Sequence, residues 1–372
     1  MVLKTSRLAR KLYISAVSTA RPLTTSAHGS VHKAREHCLN ILRRNDVPSF
    51  LLKGYVPRHG QDAFLALHAL NVDVARVADS TSHPSIGAMR MQFWRDAVDR
   101  ALAGSPPEEP VAILLSAAAE DLHIRSKGKS RLSKRWLHRI IDTREQYLGN
   151  KPYPTLDALE SYAENTYSTL LYLSLSALSI NSVTADHLAS HIGKATGIAA
   201  VLRGFPLVAF PQVPSHHSSN ARGGPIGSPP QGAVLLPLDV MAQTGLQEEQ
   251  VFRQGGNAPN LQDALFTVAT RANDHLITAS EMLKNLQEGR DVGHDFEHAH
   301  EDDHRSSDGL KPNIEGLGSV DPAFGVLLRA VVTHNWLERL QKVDFDVFNR
   351  TLMQTDWKLP WKLAWSSYRK QI

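Results

Sequence analysis

The chain has 372 residues, 42% of them apolar, with a formal net charge of +4 and one cysteine, Cys38. That length allows one large domain or two small ones with a sizeable core, and a single cysteine excludes both an intramolecular disulfide and a Cys-rich zinc site. The excess base makes no case for nucleic acid: Lys4, Arg7, Arg10, Lys11, Arg21, Lys33 and Arg35 precede the first acid, Glu36, so the rest of the chain is mildly acidic.

Residues 1–30 are rich in Arg, Lys, Ser and Thr and hold no acid. Leu3, Leu8, Leu12 and Val17 can share one side of a short helix with bases elsewhere around it. That is the composition of a mitochondrial transit peptide, with cleavage between Arg21 and Ser30; a disordered basic tail is the alternative. An inner-membrane potential draws cations inward, and acids would oppose it. No continuous apolar stretch suits a secretory signal, and none approaches the roughly 18 consecutive apolar residues of a membrane span, so any membrane association is expected to be peripheral.

Residues 31–372 read as one all-α domain. Gln61–Ala78 repeats Phe64, Leu67, Leu70, Val74 and Val77 at three- and four-residue spacing, and Ile86–Leu102 repeats Met89, Phe93 and Ala97. Leu132–Leu148 carries Trp136, Ile140 and Tyr147 and stops at Gly149. Leu156–Ile180, Thr184–Val208, Leu261–Leu286 and Phe324–Leu340 are further predicted helices. Two segments break the pattern: 211–231 is rich in Pro, Gly and Ser, and 288–320 is charged and His-rich, so both are expected to be disordered loops. His294, His298, His300 and His304 have spacings that could suit a metal, but their charged, low-complexity surroundings favour a solvated loop. The tail WKLPWKLAWSSYRK (Trp357–Lys370) puts Trp361 and Trp365 on one helix face, with Pro360 at its start and Lys358, Lys362, Arg369 and Lys370 around it. Tryptophan rimmed by base suits the surface of an anionic membrane; docking of the tryptophans into the core is the alternative.

From Ser49 onward the chain resembles the squalene/phytoene synthase family. Ser49-Phe50, Pro57 followed by AFLALHALN (Ala63–Asn71), Tyr162–Ser168, GKATGIAAVLR (Gly193–Arg203) and GAVLLPLD (Gly232–Asp239) match that family's segments in order. The resemblance implies an isoprenoid-synthase-like helical bundle around a central cavity. It also implies two Asp-x-x-x-Asp motifs, whose four-residue spacing puts both carboxylates on one helix face, holding Mg²⁺ against a prenyl diphosphate. Here the first motif falls on Ala75 and Asp79 and the second on Gly204 and Val208, so three of four acids are missing. Gln61 and Val72 also stand where the family has arginine, Ser168 replaces a glycine, and Pro206 is expected to disturb the second helix. Asp79 alone makes a poor Mg²⁺ site.

No catalytic residue, cofactor or metal ligand is therefore expected. Arg76 and Arg203 are candidate anion-binding residues, since guanidinium matches phosphate geometry; helix-surface ion pairs are the alternative. Trp361, Trp365, Lys362 and Arg369 are candidate membrane contacts. RMQFWRDAV (Arg90–Val98), YAENTYSTLLYLSL (Tyr162–Leu175), ADHLASHIGKATGI (Ala185–Ile198) and LQKVDFDVF (Leu340–Phe348) are similar to a non-catalytic branch of the same family. That similarity implies a role on the matrix side of the mitochondrial inner membrane in early assembly of respiratory complex I, with its assembly intermediates or the ND1 subunit as partners. The retained fold and Arg203 keep a prenyl-diphosphate-using transferase, or a peripheral lipid-phosphate-binding protein, as alternatives.

Overall fold

A computed structural model describes residues 25–81, 84–211, 232–288 and 321–372. Most of the expected leader and of the two expected loops, with His294, His298, His300 and His304, lies outside the described residues. Among the described residues every regular element is helical. The first half comprises α1 (Thr25–Asn45), α2 (Val47–Leu52), α3 (Gln61–Ala75), α4 (Val77–Ser80), α5 (Pro84–Leu102), α6 (Pro110–Arg125) and α7 (Lys134–Gln146). Then come α8 (Leu156–Ala163), a π turn (Glu164–Ser168), α9 (Thr169–Ala177), α10 (Val183–Ala209), α11 (Leu238–Thr244), α12 (Glu248–Gln254) and α13 (Leu261–Gln287). The chain closes with α14 (Phe324–Leu327), α15 (Arg329–Lys342), α16 (Arg350–Met353) and α17 (Leu359–Arg369).

Local chemistry sets the boundaries. Asp46, Ser133, Thr155 and Ser182 each accept a hydrogen bond from a first-turn N–H of the following helix. Glu109 caps α6 through the N–H groups of Val111 and Ala112, with Pro110 at the first position, where its missing donor costs nothing. Gly245 ends α11 in the left-handed conformation, φ 72°.

Two hydrophobic cores result. One gathers Cys38, Leu67, Trp94, Leu115 and Ile140 from α1, α3, α5, α6 and α7. The other gathers Leu188, Ile198, Leu265, Leu283 and Leu337 around α10, α13 and α15. α10 is the central beam of the second core, packed by α8, the π turn, α9, α13 and α15. By length and composition it could cross a membrane, contrary to the expectation drawn from apolar run length. Its apolarity has a different source: it is surrounded, with 61% of the apolar stretch buried, and a surrounded helix needs apolar side chains on most faces.

Two glycines let α10 approach the preceding segment. A Cβ at Gly193 would overlap the backbone and Oγ of Ser168, and one at Gly197 would overlap Ala163. Ser168 tolerates the missing glycine by donating its hydroxyl to the Ser190 carbonyl at 2.9 Å. Pro206, expected to disturb this helix, lies inside α10, which runs on to Ala209. The proline falls in the last turn, where few further hydrogen bonds depend on it.

Candidate functional site

Where the two cores meet, a cavity of about 190 Å³ opens between the end of α3, α4, the end of α7, the π turn and α10. All four motif positions line it: Ala75 and Asp79 on one wall, Gly204 and Val208 on the other. Among the described residues Asp79 is the only acid in that lining. Its pKa is raised by burial, with Arg76 pulling the other way.

The wall between those motifs comes from residues that sequence reasoning missed. Leu137, Ile140, Ile141 and Arg144 form one stripe of α7 at positions i, i+3, i+4 and i+7, so Arg144 occupies the next buried position. It is only 7% exposed. Its guanidinium donates to the Tyr162 hydroxyl at 3.0 Å and to the Asn71 side-chain oxygen at 2.7 Å, while its Nε–H has no partner. The guanidinium carbon lies 5.9 Å and 5.6 Å from the ring centres of Tyr162 and Tyr167. Burial alone would lower the Arg144 pKa, but the tyrosines around it outweigh that and the net shift is upward. Among the described residues no carboxylate pairs with it. A cation in an otherwise apolar stripe was the readable signal.

The π turn places the tyrosines. In an α-helix, positions five apart point about 140° away from each other; the wider turn brings Tyr162 and Tyr167 to the same cavity. Tyr147, Tyr153 and Tyr162 pack ring against ring at 4.7–5.4 Å. After α7 the chain turns through Gly149 (φ 88°) and Asn150 (φ 54°), which brings Lys151 to the rim.

Mg²⁺ is the ion the family's fold implies at this place, and the donor set does not fit it. Three of the four acid positions offer a methyl group, a hydrogen and an isopropyl group, and the neighbouring wall presents Arg144 and Lys151, which repel a cation. Among the described residues no group of three His, Cys, Asp or Glu side chains is placed to hold a metal ion.

Arg76 and Arg203 line a second cavity of about 490 Å³, which shares Ala75, Tyr167, Ala200 and Gly204 with the first. Arg44 and Arg329 join them there, against the carboxylate of Asp46, the one acid of that lining among the described residues. Arg203 stacks over Trp336 at 5.6 Å. Arg329 donates to Ser49 Oγ at 3.0 Å and lies 3.5 Å from Asp46; Ser49 Oγ also meets Asp46 at 2.5 Å and His68 Nδ1 at 3.1 Å. Burial opposes the charged form of Asp46, but Arg329 and the Ser49 hydrogen bonds hold its pKa at about 2. Burial and Arg329 push His68 down to about 3, so it is neutral there.

The C-terminal tryptophans face outward. Trp357, Trp361, Trp365 and Tyr368 are 71%, 73%, 62% and 79% exposed. Leu359 and Leu363 are the residues that dock α17, which excludes the core-docking alternative for Trp361 and Trp365. Lys362 pairs with Glu338 at 2.9 Å, and Arg369 lies 5.6 Å over the Trp365 ring.

The model of the squalene/phytoene synthase family matches residues 42–209 and 226–296. A Mus musculus protein named NADH dehydrogenase (ubiquinone) complex I, assembly factor 6 is 36% identical over 335 residues, 90% of this chain and 82% of that protein. Its Homo sapiens namesake is 33% identical over 357 residues, 96% of this chain and 87% of its own length. In fold, the chain is similar to a dehydrosqualene synthase (TM-score 0.61, 14% identity, 92% of this chain and 99% of that one). It is also similar to the squalene synthase HpnC from Alicyclobacillus acidocaldarius (TM-score 0.59, 13% identity, 86% and 99%).

Proposed function

Because the chain belongs to the squalene/phytoene synthase family but lines its cavity with only one of that family's four acids, we propose that it acts by binding rather than prenyl transfer, in the assembly of mitochondrial respiratory complex I. The observation that carries the assembly role is the near full-length similarity to proteins named complex I assembly factor 6. The binding mode rests on electrostatics. A departing diphosphate needs several kcal/mol of charge stabilisation from metal, and each ~1.4 kcal/mol lost is tenfold in rate. Ala75, Gly204 and Val208 supply none of the ligands for that metal.

The proposed place of action is early, at biogenesis of the ND1 subunit, on the matrix side of the inner membrane. The acid-free N-terminus supports import through a leader of residues 1–30. The exposed tryptophans and bases of α17 support a peripheral membrane contact.

Deleting the gene and resolving the respiratory complexes on a native gel tests the role. Loss of assembled complex I and of ND1, with isoprenoid levels unchanged, is the expected result; normal complex I rejects it. A second assay addresses mechanism. Purified chain incubated with farnesyl diphosphate and Mg²⁺ should release no more pyrophosphate than a boiled control, and release above that control would favour a transferase.

A further inference from the structure

The cavity lined by the four motif positions holds a buried cation, and among the described residues no carboxylate pairs with it. Arg144 is more than nine-tenths buried, lines the cavity, and is met by neutral groups of Tyr162, Asn71 and Tyr167, with its Nε–H unpaired. A buried cation is ordinarily paired with an anion. Lys151 stands exposed at the same rim, so among the described residues the lining holds two cations against the single carboxylate of Asp79. Ligand pockets for whole small molecules run to roughly 300–1,000 Å³; at about 190 Å³ this one suits a headgroup-sized anion.

We propose that this cavity is a metal-independent phosphate site, with Arg144 at its floor, Lys151 at its rim and the tyrosine hydroxyls as neutral donors. A guanidinium and an ammonium together match the charge of a phosphate dianion, and the planar guanidinium can meet two of its oxygens at once. The phosphate could be free or the headgroup of a phospholipid. The inference stands on these residues and is independent of the assembly role, since it concerns a binding constant of the isolated chain.

The test is calorimetric titration of the full 372-residue chain in EDTA. Inorganic phosphate and dihexanoyl phosphatidic acid, kept below its micellar concentration, are the two probes. Saturable binding is expected, with Kd raised at least about tenfold in Arg144→Gln and in Lys151→Gln and unchanged in Lys129→Gln. Lys151 and Lys129 are both exposed, so the comparison between them does not depend on how Arg144→Gln folds. Tighter binding of the lipid assigns the site to a headgroup, and tighter binding of inorganic phosphate to a free anion. No saturable binding of either probe, equal affinity in Lys151→Gln and Lys129→Gln, or binding that requires added Mg²⁺ would each overturn the proposal.

Discussion

His68 provides a direct measurement of how deeply the network behind the second cavity is buried. The side chain is 1% exposed, sits on α3 beside Ser49, and has a pKa of about 3 against an ordinary 6.5 because of burial and Arg329. An unfolded chain protonates this histidine as the pH falls below 6.5, whereas the folded chain resists until about 3. The unfolded state therefore binds more protons across that window, and stability falls as the pH falls. At pH 4 the gap amounts to roughly 2.5 pH units, which at ~1.4 kcal/mol each is about 3 kcal/mol. His68→Leu removes the titrating group and the unpaired Nε2 together. The loss of unfolding free energy between pH 7 and pH 4, measured by urea titration followed by circular dichroism, should be about 3 kcal/mol smaller in the variant. The rest of the chain is common to both proteins, so the difference isolates His68. Equal pH dependence in the two proteins would show that His68 ionises normally and that the network is open to water.

Three more outcomes are expected. Gly193→Ala meets the Ser168 backbone and should destabilise by about 1–3 kcal/mol, whereas Gly204→Ala, with open space around its Cβ in the same helix, should stabilise by about 0.5–1 kcal/mol; urea midpoints of the two variants separate crowding from helix propensity. Replacing both Trp361 and Trp365 with alanine should change stability by less than about 0.5 kcal/mol, because both are exposed. The same variant should lose flotation with anionic vesicles, and equal flotation of variant and wild type would remove these tryptophans as anchors. Cys38 is fully buried with its thiol pushed up to about 12 by burial first and nearby acids second, so iodoacetamide at pH 8 should modify it only as fast as the chain unfolds. Rapid alkylation of the native protein would refute its placement between α1 and its neighbours.

Leu261–Leu286 was legible from one apolar stripe and Thr184–Val208 from its length, although its apolar residues cover most faces; both fall within a residue of α13 and α10 at each end. Two of the helices that escaped notice show why. α6 spreads Val111, Ala112, Leu114, Leu115, Ala118 and Leu122 over more than one face, because α1, α3 and α5 all pack on it. α1 begins at Thr25, inside a stretch whose composition also reads as a leader. The predicted Leu156–Ile180 is interrupted by the π turn, which apolar spacing does not reveal because a single wider turn leaves the flanking stripes intact. The predicted Gln61–Ala78 likewise divides at Arg76. In the site, the resemblance to the family located the four motif positions, and all four line the smaller cavity, whereas Arg76 and Arg203 line the neighbouring one. Arg144 went unread because an arginine near a helix end ordinarily suggests a solvated C-terminus, although its place in the stripe of Leu137, Ile140 and Ile141 argued for an inward side chain.

The boundary between the two cores has a mechanical meaning. Met91 and Val74 on one wall of the smaller cavity belong to the first core, while Tyr153 on the opposite wall belongs to the second. A molecule wedged there touches both halves at once, so its grip opposes their separation directly. Occupancy would then sharpen the unfolding transition as well as raise it: two cores able to loosen one after the other would be made to give way together.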